Sequence, residues 1–137
     1  MLPIRAFIRA AATAVALLVL AAATAPAQPA EKVEAEARDL LQQYAAALAS
    51  LDANAVKKLQ PAIDVEAMKK AFKEMRALDV SIDNVKVLSV DASLARVSCR
   101  VSQTLTPKAG SKQTTAVTRV LRLRRMPTGW VIDAFER

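Results

Sequence analysis

Hydrophobic and polar positions follow three successive patterns along the 137 residues of the chain. From Ala10 to Ala23 the run is uncharged and rich in alanine. Between residues 30 and 78 apolar side chains recur at three- and four-residue spacing. After Leu78 they alternate. The first helical stretch covers 30–51, with Val33, Ala37, Leu40, Leu41, Tyr44, Leu48 and Leu51 on one stripe and Lys32, Glu36, Gln42 and Gln43 off it. Asp52 is placed to cap a short helix over Ala53–Leu59, which Pro61 closes. Asp64 is placed to cap a third helix, whose apolar stripe is Val65, Met68, Phe72 and Met75. On its outer face Glu66, Lys70 and Glu74 have the spacing of helical ion pairs.

The alternating half predicts strands at Val80–Val90, Leu94–Leu105, Thr115–Met126 and Gly129–Glu136. Turn residues separate them at Asp91-Ala92-Ser93, Pro107–Ser111 and Pro127-Thr128-Gly129. Helices followed by strands on short turns indicate an α+β domain, with the helices packed on one face of a mostly antiparallel sheet. Directly opposed residues share a sheet face. A turn at 126–129 opposes Arg125 to Trp130, Leu123 to Ile132, Leu121 to Ala134 and Arg119 to Glu136. The next hairpin opposes Cys99 to Leu121, Val101 to Arg119 and Gln103 to Val117. The first opposes Val87 to Val97 and Val85 to Cys99. In this register the inner face is apolar except for Asp83, Gln103, Arg119 and Glu136, which gather at one end. Arg96, Arg100, Arg122 and Arg124 fall on the outer face. A bulge would shift these assignments by one residue and reverse the faces.

Composition narrows the chemistry. At 53% hydrophobic and 24% charged the chain has the makings of one folded core. It has no histidine, which removes histidine metal sites and every Ser-His or Cys-His pair. Two glycines cannot form a phosphate-binding loop, and the single cysteine, Cys99, allows no internal disulfide. No metal and no cofactor is expected.

Residues 1–27 have the three parts of a secretory signal: Arg5 and Arg9, the apolar run, and the small residues of Ala25-Pro26-Ala27. The run is shorter than the roughly 20 apolar residues a membrane span takes. Cleavage after Ala27 is expected, with a domain over 28–137 and a periplasmic or secreted location. Residues 28–137 carry 18 basic and 13 acidic side chains, and the balance is uneven. Positions 96–137 hold 9 basic side chains against 2 acidic ones.

The stretch LLQQYAAALASLDANAVKKL, the strand NVKVLSV with its turn, and the terminal GWVIDAF resemble the nuclear transport factor 2-like superfamily, including its SnoaL-like and ketosteroid isomerase-like branches. The resemblance covers about residues 31–137 and implies a curved four-stranded sheet wrapped on helices as a cone, often with a pocket inside. Some members are isomerases, cyclases or hydratases, and others bind or assemble without known chemistry. It also implies a carboxylate or histidine in the cone near a tyrosine of the first helix. Tyr44 stands where that tyrosine is expected, and Asp83 or Asp133 would be the carboxylate. The histidine is missing, and Val90-Asp91-Ala92-Ser93 lacks the glycine usual before the following strand.

Each of these residues also has a plain structural role. Tyr44 suits a core position with its hydroxyl at the cone's mouth. Asp133 alternates with Trp130 and Ile132 in a way that points it to solvent, Cys99 suits a buried thiol, and Trp130 suits the core. No residue is assigned as catalytic. The expected function is an exported binding or interaction module, its pocket formed by Tyr44, Asp83, Gln103, Arg119 and Glu136. The alternative is a small proton-transfer enzyme of isomerase, dehydratase or cyclase type, using a carboxylate with Tyr44. The expected partner is a small molecule or a protein, with a homodimer through the sheet as one form. The basic face of Arg96, Arg100, Arg122 and Arg124 predicts weak contact with anionic envelope surfaces. Nucleic acid is not expected, because residues 28–137 hold four aromatic side chains and three of them lie on core stripes.

Overall fold

Two aspartates divide the helical half of the chain, as their spacing predicts. The computed structural model describes residues 29–136, so the export signal read over 1–27 and its cleavage site lie outside the described residues. Helix α1 (Ala30–Ala49) ends where the Ser50 N–H donates to the Ala46 carbonyl and Leu51 turns left-handed at φ 55°. The Asp52 carboxylate then accepts from the N–H groups of Asn54 and Ala55 at 3.0 and 3.2 Å and starts α2 (Ala53–Leu59). Asp64 accepts from the Ala67 N–H at 3.1 Å and starts α3 (Val65–Lys73). Each carboxylate satisfies donors that have no partner within the helix.

Four strands follow: β1 (Met75–Val90), β2 (Leu94–Pro107), β3 (Gln113–Met126) and β4 (Gly129–Glu136). They form one antiparallel sheet in the order β1-β2-β3-β4. The architecture is the expected α+β arrangement, a curved four-stranded sheet with its helices on one face. Helix α1 stops two residues before Leu51, β2 runs two residues past Leu105 and β3 starts two residues before Thr115, but the largest difference is at β1. Met75 belongs to β1 rather than to the stripe of the third helix, and the strand begins five residues before Val80. Pairing of Met75 with Pro107 and of Ala77 with Thr106 draws these residues into the sheet and overrides their helical spacing.

The core lies between α1 and the concave face. From the helix come Val33, Ala37, Leu40, Leu41, Tyr44 and Ala47. From the sheet come Val97, Cys99, Leu121, Leu123, Trp130 and Ile132. Trp130 joins the layers, because its indole N–H donates to the Glu36 carboxylate at 2.6 Å and the Arg125 guanidinium lies 4.4 Å from its ring centre.

Bulges set the faces of the two edge strands. Asp83 pairs with Arg100 and Lys86 with Ser98, leaving Asn84 and Val85 to share the space opposite Cys99. Asn84 takes the left-handed conformation at φ 52°, which asparagine tolerates better than branched residues do. The extra residue resets the alternation, so Leu78, Val80 and Ile82 before it and Val85 and Val87 after it all pack on the core. A second bulge sits at Leu88. A third sits at Asp133, since Leu123 pairs with Ile132 but Arg122 pairs with Ala134.

This third bulge corrects the expected register. Arg125 opposite Trp130 and Leu123 opposite Ile132 stand as read. Beyond Asp133 the partners move by one: Leu121 faces Phe135 and Val120 faces Glu136. The β2–β3 pairing is displaced by two residues, with Cys99 opposite Arg119 and Val101 opposite Val117. A shift of two preserves the faces, whereas a shift of one reverses them.

Trp130→Ala removes a large side chain that is 7% exposed and unties Glu36 from the sheet. It should lower unfolding free energy by about 3–5 kcal/mol. Urea unfolding followed by circular dichroism measures this, and a loss below about 1 kcal/mol would mean that the layers hold together without it.

Candidate functional site

Where α1 ends, the sheet continues. The concave face beyond Tyr44 and Leu48 is left uncovered, and a groove of about 480 Å³ opens there. Its apolar wall is Leu48, Val101, Val117 and Phe135, and its polar groups come from Tyr44, Gln103, Thr115 and Arg119. The volume lies within the roughly 300–1,000 Å³ usual for small-molecule sites.

Each lining residue arrives by a local rule. Tyr44 lies one helical turn before Leu48, so both look to the same side of α1. Val101 and Gln103 alternate on β2 and stand opposite Val117 and Thr115 of β3. Arg119 pairs with Cys99 and so takes the inner face, beside Leu121. Its side chain is exposed in the groove mouth, and among the described residues it makes no ion pair. Phe135 turns inward because of the bulge at Asp133, and its ring centre comes within 6.1 Å of Tyr44.

The Tyr44 hydroxyl donates to the Gln60 side-chain oxygen at 3.0 Å, so the start of the α2–α3 connection fixes it. Burial pushes its pKa from 10.0 up to about 12. The phenol is therefore a neutral, committed donor at physiological pH. No described residue lining the groove is an aspartate, glutamate or cysteine, and the chain has no histidine. Among the described residues no cluster of acidic or cysteine side chains could hold a metal ion.

Two residues expected at this site lie elsewhere. Asp83 stands opposite Arg100 and lines a separate, polar groove with Glu34, Arg38, Gln42, Asn84 and Lys86. Glu136 is carried to the outer face by the bulge, where it accepts from Arg96 Nε and Nη2 at 2.8 and 2.7 Å. That two-bonded contact holds the Glu136 carboxyl below the usual carboxylate range. The expected Arg119–Glu136 pair is therefore corrected to Arg96–Glu136. Asp133 also faces outward, 3.4 Å from Arg124.

Tyr44, Gln103 and Arg119 are brought together as the sequence suggested. Leu48, Val101, Thr115, Val117 and Phe135 complete the lining without having been singled out. Alternation along β2 and β3 carries the signal for Val101, Thr115 and Val117. Nothing local in the sequence marks the Asp133 bulge that turns Phe135 inward, or the contact between Tyr44 and Gln60 across 16 residues.

Two buried acids make stability fall in alkali. Burial raises the Cys99 thiol from 9.0 to about 11, and a weaker push comes from the Asp83 charge. Tyr44 rises from 10.0 to about 12. A folded pKa above the unfolded one favours folding below the unfolded value, and that contribution is lost as pH climbs through the folded one. Stability should therefore decline between about pH 9 and pH 12. Tyr44 is the only tyrosine, so its ultraviolet titration reports the site directly. A midpoint near 10 in the folded protein would show a solvated hydroxyl instead.

No family model and no curated protein matches the chain. Solved structures do match in shape. An NTF2-like superfamily protein of Salmonella enterica serovar Typhimurium aligns with TM-score 0.65 and 16% identity, over 79% of this chain and 91% of that one. A Streptomyces avermitilis protein of the NTF2-like family, assigned provisionally as a dehydratase, aligns with TM-score 0.64 and 13% identity, over 78% and 95%. The hexachlorocyclohexane dehydrochlorinase LinA-type3 of Novosphingobium barchaimii aligns with TM-score 0.60 and 10% identity, over 77% and 84%. At these identities the likeness is one of fold, and fold does not select a chemistry. Three helices laid into a curved antiparallel sheet, open at one end, give this chain the nuclear transport factor 2-like fold.

Proposed function

We propose that the protein is an exported, non-catalytic binding module whose groove takes a small, largely apolar molecule bearing an anionic or hydroxylated group. One observation carries this reading: the apolar wall of Leu48, Val101, Val117 and Phe135 ends at Arg119, which has no carboxylate partner among the described residues. A few polar groups at the rim of an apolar site are the usual means of orienting a ligand. Gln103 and Thr115 offer neutral hydrogen-bonding groups on neighbouring strands. The enzymatic alternative needs a base beside Tyr44. Asp83 and Asp133, the carboxylates the resemblance implied there, lie outside the groove, as does Glu136, and Tyr44 is already bonded to Gln60. A tyrosine whose pKa is raised to about 12 is also a weak proton donor.

Two dyes of similar apolar bulk test the reading. Anilinonaphthalene sulfonate carries a charge, and N-phenyl-1-naphthylamine does not. The protein should bind both, and Arg119→Met should weaken the sulfonate by about three- to tenfold while leaving the neutral dye unchanged. Val117→Trp, which fills the groove, should remove both signals. Binding of either dye that survives Val117→Trp, or equal loss of both dyes in Arg119→Met, would overturn the assignment.

A further inference from the structure

Exposed apolar side chains are not scattered over this molecule. Among the described residues four large ones are exposed: Leu88 at 52%, Val117 at 41%, Met126 at 39% and Leu94 at 38%. Val117 lines the groove. The other three sit together at the opposite end of the sheet, beside the β1–β2 and β3–β4 turns. Leu94 stands opposite Arg124, Leu88 is the extra residue of the bulge next to Ser89 opposite Arg96, and Met126 closes β3 at Gly129.

The same rows hold the arginines. Arg96 and Arg122 are direct cross-strand neighbours on the outer face, and Arg124 follows two residues along β3. Like charges directly opposed in a sheet oppose folding, and one carboxylate, Glu136, lies close enough to offset this pair in part. Glu136 binds Arg96 and also feels the charge of Arg122, and Asp133 meets Arg124, so three arginines stand against two carboxylates. Asp91, the other acid at this end, is turned into its own loop, where it accepts from the N–H groups of Ser93 and Leu94 at 2.8 and 2.7 Å. The Arg125 N–H donates to the Ser93 carbonyl at 2.8 Å and ties the two turns together. Leu94 is therefore presented from a braced loop.

We propose that this turn end of the outer sheet face docks on an anionic lipid bilayer. Arg96, Arg122 and Arg124 would meet the headgroup phosphates, and Leu88, Leu94 and Met126 would enter the interface between them. Basic side chains ringing a few exposed apolar ones match the two terms that hold peripheral proteins to anionic membranes. A hydrated anionic polymer would use the arginines and leave the apolar residues unburied, so the leucines and the methionine favour the bilayer. The proposal does not depend on what occupies the groove at the other end.

Vesicle co-sedimentation tests it on the chain from Gln28, which contains every described element and lacks the apolar run of residues 10–23. The protein should sediment with phosphatidylglycerol vesicles and not with phosphatidylcholine alone. Arg122→Gln and Arg124→Gln should each weaken binding by about fivefold. Replacing Leu88, Leu94 and Met126 together by serine should weaken it by at least about threefold at physiological salt, where screening has reduced the charge contribution. An unchanged circular-dichroism spectrum and urea midpoint would show that these variants are folded. Equal binding to phosphatidylcholine would overturn the proposal. So would serine variants that bind as the parent does, with dextran sulfate competing as well as vesicles, because charge alone would then suffice. A dimer in light scattering that the serine changes dissolve would instead assign the patch to a second copy of the chain.

Discussion

The packing of one helix against a sheet longer than itself governs the rest of the structure. Helix α1 has 20 residues and spans about 30 Å. Strands β2 and β3 have 14 residues each and run for about 46 Å if straight. Curvature reduces the difference without removing it. The helix fills the middle of the concave face with Val33, Ala37, Leu40, Leu41 and Tyr44, and all of these are buried. Beyond Leu48 the face continues with Val101, Gln103, Thr115, Val117 and Arg119, which have no helix over them. The groove is thus what remains of the inner face once the helix has ended, and Tyr44 stands at the boundary between packed and open.

Register at the edge strands decides the electrostatics. Without the bulge at Asp133, Glu136 would share the inner face with Arg119 and the groove would hold an ion pair. With it, Glu136 moves to Arg96 and Phe135 takes the inner position beside Tyr44. One inserted residue therefore exchanges a carboxylate for an aromatic ring in the wall of the site. The Asn84 bulge acts similarly on β1, where it sends Asp83 to the side of Arg100 and keeps Val85 in the core. Both bulges remove acids from the inner face, and the cation left there is exposed enough to remain hydrated at no great cost.

Much of this was legible in the sequence because burial imposes period. The stripe of α1, the caps at Asp52 and Asp64, and the alternation of β2 and β3 each follow from one-dimensional spacing. Arg119 could be placed on the inner face for the same reason, since even an error of two residues in pairing preserves the side. Glu136 and Asp83 could not be placed. Their sides depend on inserted residues, and a bulge is a cooperative property of two strands that neither sequence marks alone. The start of β1 was hidden differently. Val65, Met68, Phe72 and Met75 keep helical spacing beyond the end of α3, and the partner strand at Pro107 draws Met75 into the sheet.

The arginines then fall into two groups with different surroundings. Arg119 stands beside apolar walls with no ion pair among the described residues. Arg96, Arg122 and Arg124 lie close together on an open face, each within reach of too few acids for neutrality. A second copy packed on this face across a two-fold axis would bring the cluster against itself, with Glu136 and Asp133 as the carboxylates that meet it among the described residues. A partner that supplies negative charge, as in the docking proposed above, would relieve that repulsion. The apolar residues at the turns extend the argument, because burying Leu88, Leu94 and Met126 gains free energy only where the anionic partner also has an apolar interior. Opposite ends of the sheet thus differ in surface chemistry: a recess with a single cation, and a basic face with an apolar tip.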